Sequence, residues 1–309
     1  MKKAKRVILS LLVAMSMLLT VACSVEGEKK SDSGNKGKTE GKGTIGLSVS
    51  TLNNPFFVTL VDGAKAAAKE EGKELIVVDA GDDSAKQAND IEDLVSKKID
   101  ILIVNPTDSD AVTPAVQTAK DAGIKIIAVD RAVNGVDVDA TIASDNAEGA
   151  KMATEYLLEK IGDKAKVAEL EGVPGASATI DRGKGFHEIA DKSLEVVTKQ
   201  TANFNRAEGL TVMENILQSN PDIKGVFSHN DEMALGAIEA IKALGKDIKV
   251  VGFDATDDAK KAVEDGTLLA TVEQQPDLMG KQAVENAIKL LNGESIEKTI
   301  PVEVKLIKK

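Results

Sequence analysis

The stretch Thr44–Lys69, TIGLSVSTLNNPFFVTLVDGAKAAAK, decides the fold. It opens on a short apolar run, turns at Asn53-Asn54-Pro55, and continues with apolar residues at Leu60, Ala64, Ala67 and Ala68. Spacings of three and four put those four on one helix face, whereas TIGLSVS is too short for a helix and reads as a buried strand. The pattern repeats. Apolar runs ELIVVDA, DILIVN and KIIAVD follow, and then KVAEL, LEVVTKQ, KGVFSHN, KVVGFD and LLATVEQ, with helix-length segments between them. Near-continuous Val/Ile/Leu runs separated by helices mean parallel sheets covered on both faces. The fold class is therefore α/β and doubly wound, and the two groups of strands imply two similar lobes.

Open parallel sheets bind ligands beyond the carboxyl ends of their strands. Those ends carry Ser50 with Asn53 and Asn54, then Asn105, then Asp130 and Arg131; in the second half they carry Asn230, Phe253 with Asp254, and Gln274. Amides, carboxylates and guanidiniums are the groups that hold sugar hydroxyls in bidentate pairs. The chain has six Phe, one Tyr and no Trp, yet Phe56 and Phe57 stand side by side after the turn. Neighbours on a helix face different ways, so one core cannot easily use both, while an aromatic plane suits the apolar face of a sugar ring. Beyond residue 22 only three arginines remain, Arg131, Arg182 and Arg206. One stands at a strand end beside Asp130, where a planar fork matters more than bare positive charge. Taken singly, each polar residue has a plainer reading, Asn54 before Pro55 being a ready N-cap. The case rests on their joint position.

Other chemistries find little support. His187 and His229 lie apart with no metal-ligand spacing, and there is one cysteine, Cys23, so each histidine reads as a surface or structural residue. GASAT (Gly175–Thr179) lacks the second glycine of a nucleophile elbow. The acidic run Gly81–Asp93 lacks the Gly and Glu positions of a calcium loop and reads as solvated helix surface. GKGTIG (Gly41–Gly46) matches a dinucleotide fingerprint but precedes the first strand, where a phosphate loop would have to follow one. No enzyme activity, metal or cofactor is expected.

Residues 1–22 read as a secretory signal, with basic MKKAKR ahead of the apolar run VILSLLVAMSMLLTVA. Cys23 sits where bacterial lipoprotein signals place the lipidated residue, although Thr20 stands where Leu is usual; the alternative is a plain cleaved signal with an incidental Cys. Residues 24–43, SVEGEKKSDSGNKGKTEGKG, hold one apolar residue, Val25, and read as a flexible tether spanning roughly 25 Å. One cysteine allows no internal disulfide. Removing residues 1–22 takes away Lys2, Lys3, Lys5 and Arg6 and no acid, moving the net charge from −11 to −15. So acidic a chain is not built to bind nucleic acid or anionic lipid through charge.

STLNNPFFVTLVDGA, NPTDSDAV, VDRAV, IASDN, HNDEMALGA and VVGFDAT, in this order, closely resemble the bacterial periplasmic ribose-binding proteins, substrate-binding components of ABC importers. The similarity runs from Thr44 to the C-terminus. It implies the type I periplasmic binding protein fold, with the ligand in a cleft between two lobes joined by a three-segment hinge. The lobes would comprise residues 44–144 plus 275–303 and residues 145–274 plus 304–309. It places the family's hydrogen-bonding groups on Asn54, Asp130, Arg131, Arg182, Asn230, Asp254 and Gln274. Its aromatic walls fall on Phe56 and Phe57 opposite Phe204, with Phe253 close by; core packing remains an alternative for Phe253, which follows an apolar strand. Ser50, Asn105 and Asn146 match positions lining the site. The implied function is capture of D-ribose or a similar monosaccharide and delivery to a membrane permease, by a monomer held to the outer face of the membrane through lipid on Cys23. Another sugar, a sensory role without transport, and an enzyme acting on sugars are the alternatives.

Overall fold

The computed structural model describes residues 43–309; the expected signal, Cys23 and the tether up to residue 42 lie outside the described residues. The chain begins β1 (Thr44–Val49), α1 (Pro55–Glu70), β2 (Glu74–Asp79), α2 (Ser84–Ser96), β3 (Ile101–Val104), α3 (Thr113–Asp121), β4 (Lys125–Val129) and β5 (Ala140–Ser144). It continues α4 (Asn146–Ile161), β6 (Lys166–Glu171), α5 (Ser177–Ser193), β7 (Glu195–Thr201), α6 (Arg206–Ser219), β8 (Gly225–Ser228), α7 (Asp231–Ala243), β9 (Lys249–Asp254), α8 (Asp257–Asp265) and β10 (Ala270–Glu273). It ends α9 (Pro276–Leu291), β11 (Thr299–Val302) and β12 (Lys305–Lys308).

Two six-stranded sheets result, ordered β11-β5-β4-β3-β1-β2 and β12-β10-β9-β8-β6-β7. Their connectivities match, and they differ at one edge, where β11 runs parallel to β5 but β12 runs antiparallel to β10. The doubly wound α/β reading holds. Strand β3, ILIV, is fully buried along its length, as a central parallel strand covered on both faces must be. Burying each such side chain contributes about 1.5–3 kcal/mol. β5, β11 and β12 carry no continuous apolar run, which is why the sequence pattern does not mark them: β5 alternates buried and half-buried residues, and the other two are edge strands.

Helix α1 starts where Asn54 accepts a hydrogen bond from the Phe56 amide at 2.9 Å and Pro55 pre-sets the first turn. Its buried face holds Leu60, Val61, Ala64, Ala67 and Ala68. Against it lies α9, whose Met279, Ala283, Val284 and Ala287 join the same core under the first sheet. The two helices approach so closely that a Cβ on Gly280 would strike the Leu60 carbonyl, and one on Gly63 the Asp277 carbonyl. The chain passes between the sheets at Asp145, at Gln274-Gln275 and at Glu303-Val304. The lobes also touch directly: the Ser109 amide donates to the Gly175 carbonyl at 3.1 Å, and the Ala132 amide to Ser177 Oγ at 2.9 Å.

Candidate functional site

The carboxyl ends of the two sheets converge on a small cavity between the lobes. Asn54, Phe56, Phe57, Asp130 and Arg131 line it from the first lobe, and Ala178, Arg182, Phe204, Asn230, Asp254 and Gln274 from the second. A wider groove nearby shares Phe56, Asp254 and Gln274 with it, but its remaining charged lining, such as Asp257, Lys260 and Lys305, is exposed or half-buried. Of these two spaces, the small cavity is the one lined chiefly by buried polar groups.

Its electrostatics are balanced but not saturated. Asp130, Arg131, Arg182 and Asp254 are all buried. Arg131 Nε lies 3.7 Å from Asp130 Oδ2, and Arg182 Nη1 lies 3.7 Å from Asp254 Oδ1. Both gaps are too long for hydrogen bonds, so the pairs neutralise one another while leaving donors and acceptors open. Burial raises the pKa of Asp130, and Arg131 and Arg182 oppose the shift. Burial pushes Asp254 up to about 7 against the pull of Arg182. Both guanidiniums are shifted down by the same desolvation. Among the described residues Arg131 Nε and Gln274 Oε1 are buried without a hydrogen-bond partner, a cost that a ligand bearing hydroxyls would remove.

Each charged group is aimed by neighbours behind the wall. Arg131 Nη1 donates to the Pro106 carbonyl at 2.9 Å. Asn105 Nδ2 donates to Asp130 Oδ2 at 3.1 Å, while Asn105 Oδ1 accepts from the Ser50 amide at 3.1 Å. Asn146 Oδ1 accepts from Arg182 Nε at 2.8 Å, and Arg182 Nη1 donates to the His229 carbonyl at 2.6 Å. Ser50, Asn105 and Asn146, expected to line the site, therefore stand one layer behind it. Asn54 and Asn230 have two uses. Their oxygens cap α1 and α7, at 2.9 Å from the Phe56 amide and 3.0 Å from the Met233 amide, which fixes the side chains at the cavity wall. Gln274 Nε2 donates to Asp254 Oδ1 at 2.8 Å.

Phe56 and Phe57 pack edge to face, with centroids 5.1 Å apart, and both are buried. The Arg131 guanidinium lies 5.1 Å from the Phe57 ring centre and 5.3 Å from that of Phe204, so these two rings flank it. Phe204 sits so tightly on Gly172 that a Cβ there would enter its ring. Asp130, Phe204 and Asp254 all have positive φ (65°, 58° and 119°), strain of the kind that concentrates where side chains must be aimed. Phe253 is different. It is placed away from the cavity lining, fully buried in the core with Phe186 and Phe227, and the Arg182 guanidinium stacks 3.8 Å from its centre. Its strand position turns the ring under the site as a shelf for Arg182 rather than a wall for ligand. Sequence reasoning missed Ala178, one turn before Arg182 on α5, whose small side chain carries no chemical signal. It also left His187 and His229 apart, whereas both contact Glu169. Among the described residues no cluster of His, Cys, Asp and Glu could hold a metal, and no helix is long and apolar enough to cross a membrane.

Residues 45–295 match the family model for the periplasmic binding protein domain. The ribose import binding protein of Bacillus subtilis is 53% identical over 309 residues, covering 99% of each chain. That of Escherichia coli is 48% identical over 270 residues, covering 87% of this chain and 91% of its own. Among solved structures, an ABC transporter solute-binding protein from Bacillus halodurans with bound myo-inositol superposes with a TM-score of 0.83 at 35% identity, over 88% of this chain and 96% of that one. One from Actinobacillus succinogenes with bound D-allose gives 0.80 at 33% identity, over 87% and 98%. The chain belongs to the periplasmic binding protein family, alongside the ribose import binding proteins that it resembles along nearly its whole length.

Proposed function

We propose that this protein captures D-ribose outside the cytoplasmic membrane and hands it to the permease of an ABC importer. The observation that carries the reading is the cavity itself. Two carboxylates and two guanidiniums, all buried and each pair held 3.7 Å apart, face a cavity that the rings of Phe57 and Phe204 also line. A neutral polyol can satisfy both charges of each pair at once and needs no counter-ion. Ribose rather than a hexose or inositol is favoured by the ribose import binding proteins, which are more similar to this chain than the solved allose and myo-inositol binders. Asn54, Phe56, Phe57, Asp130, Arg131, Arg182, Phe204, Asn230, Asp254 and Gln274 are the ligand-facing set in this reading. The hinge segments at Asp145, Gln274-Gln275 and Glu303-Val304 open and close the lobes, the protein works as a monomer, and Cys23 carries the lipid that keeps it at the membrane.

Isothermal titration of the mature domain against ribose, 2-deoxyribose, allose and myo-inositol tests the reading. Ribose should bind tightest, and 2-deoxyribose about 10⁴-fold more weakly, because a missing hydroxyl leaves buried charged groups unpaired. Equal affinity for ribose and 2-deoxyribose would refute hydroxyl reading. A stronger response to allose or myo-inositol would reassign the ligand. Membrane fractionation of Cys23→Ser tests the anchor, with release from the membrane expected and unchanged retention opposing it.

A further inference from the structure

Beneath the cavity a second polar cluster runs from the surface to Arg182. Glu169 on β6 is fully buried and gives one carboxylate oxygen to each histidine, Oε1 to His229 Nε2 at 2.9 Å and Oε2 to His187 Nε2 at 3.0 Å. His187, on α5 and partly exposed, has its Nδ1 2.8 Å from Asp191 Oδ1. His229 is fully buried in the turn between β8 and α7. Its carbonyl accepts from Arg182 Nη1 at 2.6 Å, and the next residue, Asn230, lines the cavity. The ring points one way, into the lobe, and the carbonyl holds the sugar site's guanidinium on the other.

The hydrogen-bond partners assign the protons. Glu169 is flanked by two imidazole nitrogens, and an ionised carboxylate only accepts, so both must donate. His229 Nδ1 has no partner among the described residues, so a second proton there would be buried without an acceptor. That ring is neutral, and burial lowers its pKa. His187 faces a carboxylate at each nitrogen and so carries both protons. Burial pulls its pKa down, but Asp191 and Glu169 outweigh the burial and leave it above the ordinary histidine value. His187 is thus the counter-ion of a fully buried carboxylate. The other charges nearby are Glu171 on β6, tied to Lys199 of β7 at 3.0 Å, and Arg182 itself, which faces Asp254 and Asp130.

We propose that the Asp191–His187–Glu169–His229 chain is a positioning device for Arg182, and that the proton on His187 sets how firmly it holds and so tunes sugar affinity. The inference rests on the reading that Arg182 binds the sugar. Three contacts aim the Arg182 fork: Asn146, the face of Phe253, and the His229 carbonyl. The third is only as rigid as the turn that carries it, and the turn is anchored inward through the His229 ring. When His187 loses its proton, Glu169 is a buried anion with no cation hydrogen-bonded to it, Lys199 being tied to Glu171, and that arrangement is costly. Because the folded pKa of His187 is raised, the device is intact below the ordinary histidine pKa and loosens as pH rises through the higher folded value.

The test is the ribose dissociation constant of wild type, His187→Gln, His229→Gln and His229→Leu between pH 6 and pH 9. The His187→Gln side chain can still donate to Glu169 but cannot carry charge. Its dissociation constant should exceed that of wild type about fivefold at pH 6 and converge on it by pH 9. Asp254 also titrates in this range, but it is present in both proteins and cancels in the ratio. A purely structural role could lower the melting temperature yet would leave the ratio independent of pH; a flat ratio overturns the inference. At pH 7, His229→Leu should weaken binding about tenfold, and His229→Gln, whose amide can reach Glu169, should stay within about threefold of wild type. A leucine variant that binds as well as wild type also overturns it; should that variant not fold, the pH ratio of His187→Gln decides. A wild type that binds no ribose at any pH overturns the functional reading and this inference with it, whereas a binding wild type with a flat ratio overturns the inference alone.

Discussion

In the first lobe the cavity's charged pair is contiguous, Asp130 and Arg131 leaving the end of β4 together, whereas in the second Asp254 leaves the end of β9 and Arg182 arrives from α5. β4 and β9 hold the same place in their sheets, third from the edge formed by β11 or β12, and an aspartate with positive φ follows β4 and ends β9. After that the halves diverge. The hydrogen bonds that steady Arg131 go to the backbone carbonyls of Pro106 and Thr107, at 2.9 and 3.4 Å, with the rings of Phe57 and Phe204 on either side. Arg182 depends on side chains and a turn from three further elements: Asn146, Phe253 and His229. A guanidinium hydrogen-bonded to backbone tolerates distant substitution, while one hydrogen-bonded to a side chain such as Asn146 is disturbed when that side chain changes.

The largest expected effect comes from the arginines themselves. Arg131→Ala or Arg182→Ala leaves a buried aspartate without its partner and should cost about 3–5 kcal/mol of ribose binding. Calorimetry checks this, and the comparison sharpens one step out. Asn146→Ala, behind Arg182, should weaken binding, while the backbone partners of Arg131 offer no equivalent side chain to remove. If Asn146→Ala binds ribose as wild type does, the contrast between the halves is wrong.

The same contrast governs what could be read before the structure. VVGFD and IIAVDR show strand-end aspartates directly, because a strand and its end are adjacent in the chain, and the three-and-four spacing of Leu60, Ala64, Ala67 and Ala68 marks α1 as plainly. Arg182 and Phe204 lie on a helix and in a loop, with no periodicity pointing at a ligand, and only a family resemblance placed them in the site. Phe253 was legible as a strand-end ring but not as a shelf, because the face it takes depends on how β9 packs on α4 and α5. The link among Glu169, His187 and His229 joins residues up to 60 positions apart, and no local pattern could have announced it.

Next in size are the rings. Phe57→Ala removes a wall of the first lobe and Phe204→Ala one of the second, each leaving the hydrogen-bonding groups in place. Each should weaken ribose binding by about 1–3 kcal/mol with the fold retained. Phe204 also lies near both guanidiniums, at 5.3 and 5.8 Å, so its loss should be the larger of the two. Equal or absent losses, measured by calorimetry beside circular dichroism, would contradict that ranking.

Smallest is a pH effect on the ligand-free protein. Asp254 is pushed up to about 7 when folded, from an ordinary 3.8. For an acid raised on folding, the stabilising contribution is full below the ordinary value and is lost as pH rises through the folded one. Wild type should therefore lose melting temperature between pH 4 and pH 8, and Asp254→Asn should lose less, by about 2–4 °C for each kcal/mol recovered. Parallel curves for the two proteins would show that the carboxyl is not held in the strained, desolvated state that the cavity implies.

Neither half of the cavity can surround a sugar alone, so binding energy must hold the lobes together. Solution scattering with and without ribose, read beside a thermal melt, measures that directly. The account predicts a smaller radius of gyration with ribose, and at about a thousand times the dissociation constant a gain of roughly 4 kcal/mol, or about 8–16 °C in melting temperature. A thermal gain without compaction would contradict closure, and no change in either would contradict ribose as the ligand.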